Sequence, residues 1–162
     1  MKKIITLLCL ISFALTFSSC EEKNIEAAKL LNQIHTYYDN GEYQSALDMV
    51  DSLRRTYPEA IEQRKEALVI FQQASLAMAQ QNLAKVDSML QVTEGELSML
   101  KPQVESHRAQ GIATAAELQH YTKLRVFRDS LQGIFNMECA KIKYIHKRQA
   151  ENDAVKSATN GE

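Results

Sequence analysis

The 162-residue chain has no tryptophan, only two prolines and only five glycines. The missing indole removes one common platform for stacking sugars. No stretch reads as a Gly-rich phosphate loop, a G-x-S-x-G elbow or an H-E-x-x-H zinc helix. β-Branched residues are thinly scattered and nowhere alternate with polar ones between turn signals, which argues against strands. His35, His107, His120 and His146 stand apart, and none shares a zinc-like spacing with a cysteine or carboxylate. Cys139 and His146 would share a helical face, but two ligands do not make a metal site. Glu105 and His107 are the nearest thing to a proton-transfer pair, with no nucleophile or oxyanion hole beside them. No metal, no other cofactor and no enzymatic activity is expected.

What the chain does have begins at its N-terminus. Lys2 and Lys3 give a positive end, Ile4 to Phe17 form a largely apolar run, and Ser18 and Ser19 precede Cys20. A charged segment, Glu21-Glu22-Lys23, follows at once. Positive, apolar, then small is the layout of a secretory signal. The apolar run covers 14 residues, whereas a helix needs about 20 to cross a bilayer core. A permanent span is therefore not expected.

The stretch Phe17-Ser18-Ser19-Cys20 resembles the lipobox of bacterial lipoproteins, although Phe17 stands where that family usually carries Leu. The resemblance implies that residues 1–19 are removed and that Cys20, acylated with palmitate-type chains, becomes the first mature residue. It further implies a lipid anchor in the outer membrane. Glu21 and Glu22 resemble the acidic export signal of surface-exposed Bacteroidota-type lipoproteins, which implies display at the surface over a periplasm-facing position. An ordinary signal cleavage leaving Cys20 as a thiol is the alternative, but Phe17 is too large for its small-x-small rule. Each buried acyl methylene is worth about 0.8 kcal/mol and one chain holds only reversibly. Several chains on one cysteine would hold permanently.

Such processing changes the cysteine arithmetic. Cys9 leaves with the signal and Cys20 is capped, so Cys139 is the remaining thiol. In a helical pattern it is expected to be a small buried hydrophobe, with a bridge between two chains as the sharper alternative. The signal takes two of the 19 basic residues and none of the 20 acidic ones, leaving 17 against 20, a net charge of −3. Nothing there favours nucleic acid as a partner.

In the mature chain Ala, Leu, Gln, Glu, Lys and Met dominate, and an all-α fold follows. A first helix is expected over 25–38, stopped by Asp39-Asn40-Gly41, and a second over 43–55, ending before Tyr57-Pro58. A third should run over 59–79, with Leu68, Phe71, Ala74 and Met78 on one face and a weak break at Gln80-Gln81-Asn82. Gly41, Tyr43, Ala46, Val50, Leu53 and Pro58, with Tyr37 in the first helix, fall at the spacing of a tetratricopeptide repeat. This segment resembles one such repeat over about residues 27–60, followed by a much weaker second. Leu30, Gln33 and Ile34 depart from the pattern. The resemblance implies short antiparallel helices and a protein-binding role.

Beyond them, Leu83, Val86, Leu90, Thr93, Leu97, Leu100 and Val104 recur at steps of three and four, the seam of a coiled coil. Pro102 should kink or stop that helix near Leu100. After a loop around Gly111, a long helix over 114–149 carries a seam of Tyr121, Leu124, Phe127, Leu131, Ile134, Ile142 and Ile145, with Glu138 as an imperfection. The expected organisation is a linker at 20–24, repeat-like helices at 25–82, a long antiparallel coiled-coil-like hairpin at 83–150 and a disordered tail at 151–162. Asp-Ser-apolar phrases at Asp51, Asp87 and Asp129 have no fixed period and reflect helix amphipathicity.

Tyr37, Tyr38 and Tyr43 are candidates to line a peptide groove, although rings in such repeats mostly pack between helices. Lys143 and Lys147, in a cluster with Lys141, His146 and Arg148, are candidates to touch anionic headgroups or an acidic partner. A solvated face that complements the helix's negative end explains the same cluster. The expected function is a lipid-anchored helical scaffold that holds another envelope protein, or itself. A structural coiled-coil spacer is the second reading, and an enzyme or ligand carrier with an unrecognised site the third.

Overall fold

A computed structural model describes residues 23–159, so Cys20 and the segment before it lie outside the described residues. Among the described residues the protein is all-α, with four helices and no strand. Helix α1 covers residues 23–39, α2 Tyr43–Thr56, α3 Ile61–Ala109 and α4 Ala115–Thr159. The chain divides into two compact units, one ending at Ser75 and one beginning at Leu76.

In the first unit α1 buries Ala27, Leu31 and Ile34, and α2 buries Ala46, Val50 and Leu53. Both sets follow the i, i+4, i+7 spacing that puts side chains on one helical face. Ala60, Ala67 and Ile70 complete the cluster, with Tyr38, Met49, Tyr57 and Phe71 packed against it. Burying a side chain such as Ile34 or Leu53 fully stabilises the fold by about 1.5–3 kcal/mol. Ala46 has no exposed surface, and its small side chain lets neighbouring backbones approach closely. Leu68, expected in this core, is exposed instead. Ala67 and Ile70 take the buried face, each one position before the expected Leu68 and Phe71, while Ala74 is buried as expected.

Glycine ends two of the helices in the same way. Gly41 has φ +77° and Gly111 φ +71°. The Glu42 amide donates to Tyr37 O at 2.9 Å and the Gly41 amide to Tyr38 O at 2.9 Å. Ile112 and Gly111 repeat the pattern onto His107 O (3.0 Å) and Arg108 O (3.1 Å). These paired bonds are Schellman caps, which need a residue in the left-handed region. Pro58 follows the end of α2, and Arg64 Nη1 donates to its carbonyl oxygen at 2.5 Å. The Arg64 Nε is buried without a hydrogen-bond partner.

In the second unit α3 and α4 pack as an antiparallel hairpin. Thr114 caps α4, its Oγ1 accepting from the Glu117 amide at 3.2 Å. The α3 seam is the expected one, with Val86, Leu90, Thr93 and Val104 buried. Thr93 satisfies its hydroxyl by donating to Met89 O at 2.8 Å. Val86 and Leu90 meet Leu131, with Phe135 packed on them.

The α4 seam corrects the expected one. Phe127 and Ile134 are 46 % and 37 % exposed. Arg128 and Phe135, partly buried, stand in their places, and Glu138 is buried. Tyr121, Leu124, Arg128, Leu131, Phe135, Glu138, Ile142 and Ile145 alternate strictly between steps of three and four. Two successive steps of three, which Phe127 would require, rotate off the seam.

Three further expectations give way. Gln80-Gln81-Asn82 do not interrupt α3, because glutamine is a good helix former and no Gly or Pro stands beside them. Of the kink or stop expected at Pro102, the stop is excluded, because the residue lies inside α3, which continues to Ala109. An interior proline costs about 3 kcal/mol, and the seam on both sides, including the fully buried Val104, holds the helix together across it. Finally, α4 runs to Thr159 through the segment expected to be disordered. Arg148 and Lys147 pair with Glu151 there at 2.7 and 3.9 Å, at the i+3 and i+4 spacings that support a helix.

Candidate functional site

The lipidation candidate, Cys20, lies outside the described residues. Tyr38 and Tyr43 flank the Gly41 cap, their ring centroids 5.7 Å apart and tilted by 51°, a spacing within the favourable range for aromatic pairs. Tyr38 also packs against the first unit's core. Tyr37 is partly buried on α1. The structure thus joins Tyr38 and Tyr43 as a packing pair at the end of α1.

The basic cluster on α4 is largely spoken for. Lys141 Nζ donates to Glu138 Oε1 at 2.7 Å, and Lys147 and Arg148 share Glu151. Lys143 and His146 are exposed, and Lys147 is exposed too, with Glu151 3.9 Å away. Cys139 is an exposed free thiol, not the buried hydrophobe expected from its helical context. It follows the seam residue Glu138 by one position, which turns it outward.

Two histidines pair with carboxylates on other elements. His107 Nδ1 lies 2.8 Å from Glu117 Oε1 at the turn end of the hairpin, and His35 Nε2 lies 2.8 Å from Glu66 Oε1. Glu105 sits 3.9 Å from Lys101, so the two residues considered for proton transfer belong to different ion pairs. The hydrogen bond that Lys29 Nζ donates to Glu26 Oε1, 2.8 Å long, raises the pKa of that ammonium above its ordinary value, with the carboxylate's charge adding to it. That pair is a surface contact on α1. No group of three or more metal-ligating side chains converges among the described residues. No described helix is long and apolar enough to cross a membrane.

Two concavities escaped the sequence reading. A groove of about 600 Å³ along the hairpin sets Lys101, Arg108, Arg125 and Arg128 against Glu94 and Glu105. Its floor includes Tyr121, with the Arg125 guanidinium 5.8 Å from the ring centroid. Arg128 is held by Asp129 at 2.7 Å. A smaller one, about 260 Å³, combines Arg54, Arg64 and Lys65 with the exposed Ile61 and Leu68. The groups lining each are separated in sequence by a helix connection, and no local motif announces them. No protein family, no curated protein and no solved structure matches the chain.

Proposed function

We propose that the protein is a lipid-anchored helical interaction module of the cell envelope, tethered through Cys20 to the outer membrane and displayed at the cell surface. One observation carries the tether: an apolar run ending in Phe17-Ser18-Ser19-Cys20, followed directly by Glu21 and Glu22. The interaction role draws support from the repeat-like pair α1 and α2, with its glycine cap and the buried Ala46. On this reading the module holds another envelope protein or a second copy of itself, and performs no chemistry.

Mass spectrometry of the mature N-terminus tests the anchor. The expected species begins at Cys20 and carries acyl chains. An unmodified Cys20, or a chain beginning elsewhere, removes the anchor from the proposal. Protease treatment of intact cells should degrade the protein; full protection would exclude surface display. Self-association as the molecular role is favoured by a specific feature of the second unit, an exposed apolar stripe on each hairpin helix.

A further inference from the structure

Each helix of the hairpin carries a second apolar stripe beside the buried seam. On α3 it is Met89, Val92 and Met99, and each of these immediately precedes a seam residue (Leu90, Thr93, Leu100). On α4 it is Phe127, Ile134, Met137 and Tyr144, which immediately precede Arg128, Phe135, Glu138 and Ile145. One residue is about 100° of helix rotation, so both stripes are turned from their seams in the same sense. In an antiparallel pair, equal rotation brings both stripes to the same side of the hairpin. That side therefore presents two apolar rows, with side chains 37 to 74 % exposed.

We propose that this face is the interface of a homodimer, in which two hairpins stack face to face into a four-helix bundle. Seven large side chains, each about half exposed, amount to roughly 700 Å² per copy, close to the ~800 Å² per partner of a stable interface. Apolar positions on two adjacent rows are also the pattern of a bundle of more than two helices. Charge selects a second copy as the occupant. Glu96 lies in the α3 row, one turn beyond Val92, and Lys123 in the α4 row, one turn before Phe127; neither is in an ion pair among the described residues. The contacts of Val86 and Leu90 with Leu131, and of His107 with Glu117, set Glu96 near the level of Lys123. A two-fold axis along the hairpin then places Glu96 of each copy beside Lys123 of the other, satisfying both charges twice. The inference rests on the hairpin and is independent of the lipid anchor.

The test uses two differently tagged copies of the full chain made in one cell, one with Glu96→Cys and the other with Lys123→Cys. A membrane-permeant bis-maleimide is added, and linked peptides are mapped by mass spectrometry, which separates them from links through the native cysteines. The reagent reaches the protein whether or not it is anchored, so failure here is distinct from failure of the anchor. The expected result is a species of twice the monomer mass joining positions 96 and 123. It should fall at least tenfold when both copies carry Val92→Glu and Ile134→Glu, both exposed sites. A missing 96–123 link, a link that survives those substitutions, or a link to another protein overturns the proposal. As a second measurement, Glu96→Lys in otherwise unaltered tagged copies should reduce their co-purification several-fold, and adding Lys123→Glu should restore it. Unchanged recovery with Glu96→Lys, or no rescue, also overturns it.

Discussion

Glu138 is 3 % exposed in the middle of an otherwise apolar seam. Lys141 satisfies one carboxylate oxygen, while Oε2 is buried without a partner. A half-satisfied buried carboxylate forfeits solvation that one surface lysine does not return. Glu138→Leu should therefore stabilise the hairpin by about 1–3 kcal/mol, read as a higher urea midpoint at unchanged slope. Gly41 is the opposite case. An added Cβ at Gly41 would meet nothing within 4 Å, yet its φ of +77° disfavours any side chain. Gly41→Ala should lower stability by about 1 kcal/mol in the same measurement, through backbone conformation alone. Both glycine caps were legible in the sequence, because few residues besides glycine end a helix that way. Spacing also placed Glu138 in the seam as an imperfection; what it did not show is the Lys141 that satisfies one of its oxygens. Cys139 misled for the reason that a buried thiol and an exposed one look alike in a helical pattern.

At the scale of the helix, α3 keeps Pro102 in its interior. Pro102→Ala restores a backbone hydrogen bond and relieves a clash with the preceding turn. It should raise stability by up to about 3 kcal/mol, measured as an upward shift in thermal midpoint. No change would mean that α3 has already adapted its local geometry to the ring. Helix existence and the starting points of α2 and α4 followed from turn residues and periodicity. The break expected at Gln80 failed because glutamine favours helix, and of the kink or stop expected at Pro102 the stop failed because a local breaker was weighed without the partner helix that holds the segment. The α4 seam failed through hydrophobicity itself. Phe127 and Ile134 are more apolar than Arg128, yet an arginine stem buries well when its guanidinium reaches solvent, and alternation of threes and fours decides which row faces inward.

For the molecule as a whole, the proposed attachment rests on one side chain. Cys20→Ser should move the protein from the membrane fraction to the soluble one, while far-ultraviolet circular dichroism of the helices stays the same. Retention in the membrane fraction would point to another means of attachment. The anchor is proposed from the sequence alone, since Cys20 lies outside the described residues; the grooves and the apolar face were the least legible, because each arises only when two helices lie side by side. The hairpin's turn has one more consequence, for the order of folding. His107 and Glu117 meet across ten positions, whereas Val86 and Phe135, in the same cluster farther from the turn, are much more distant in sequence. Closing a short loop sacrifices less chain entropy than closing a long one. Pairing therefore starts at the turn and spreads away from it, each contact shortening the loop left for the next. A chain built this way has low contact order and folds fast, and when its ends are pulled apart it yields by unzipping toward Gly111.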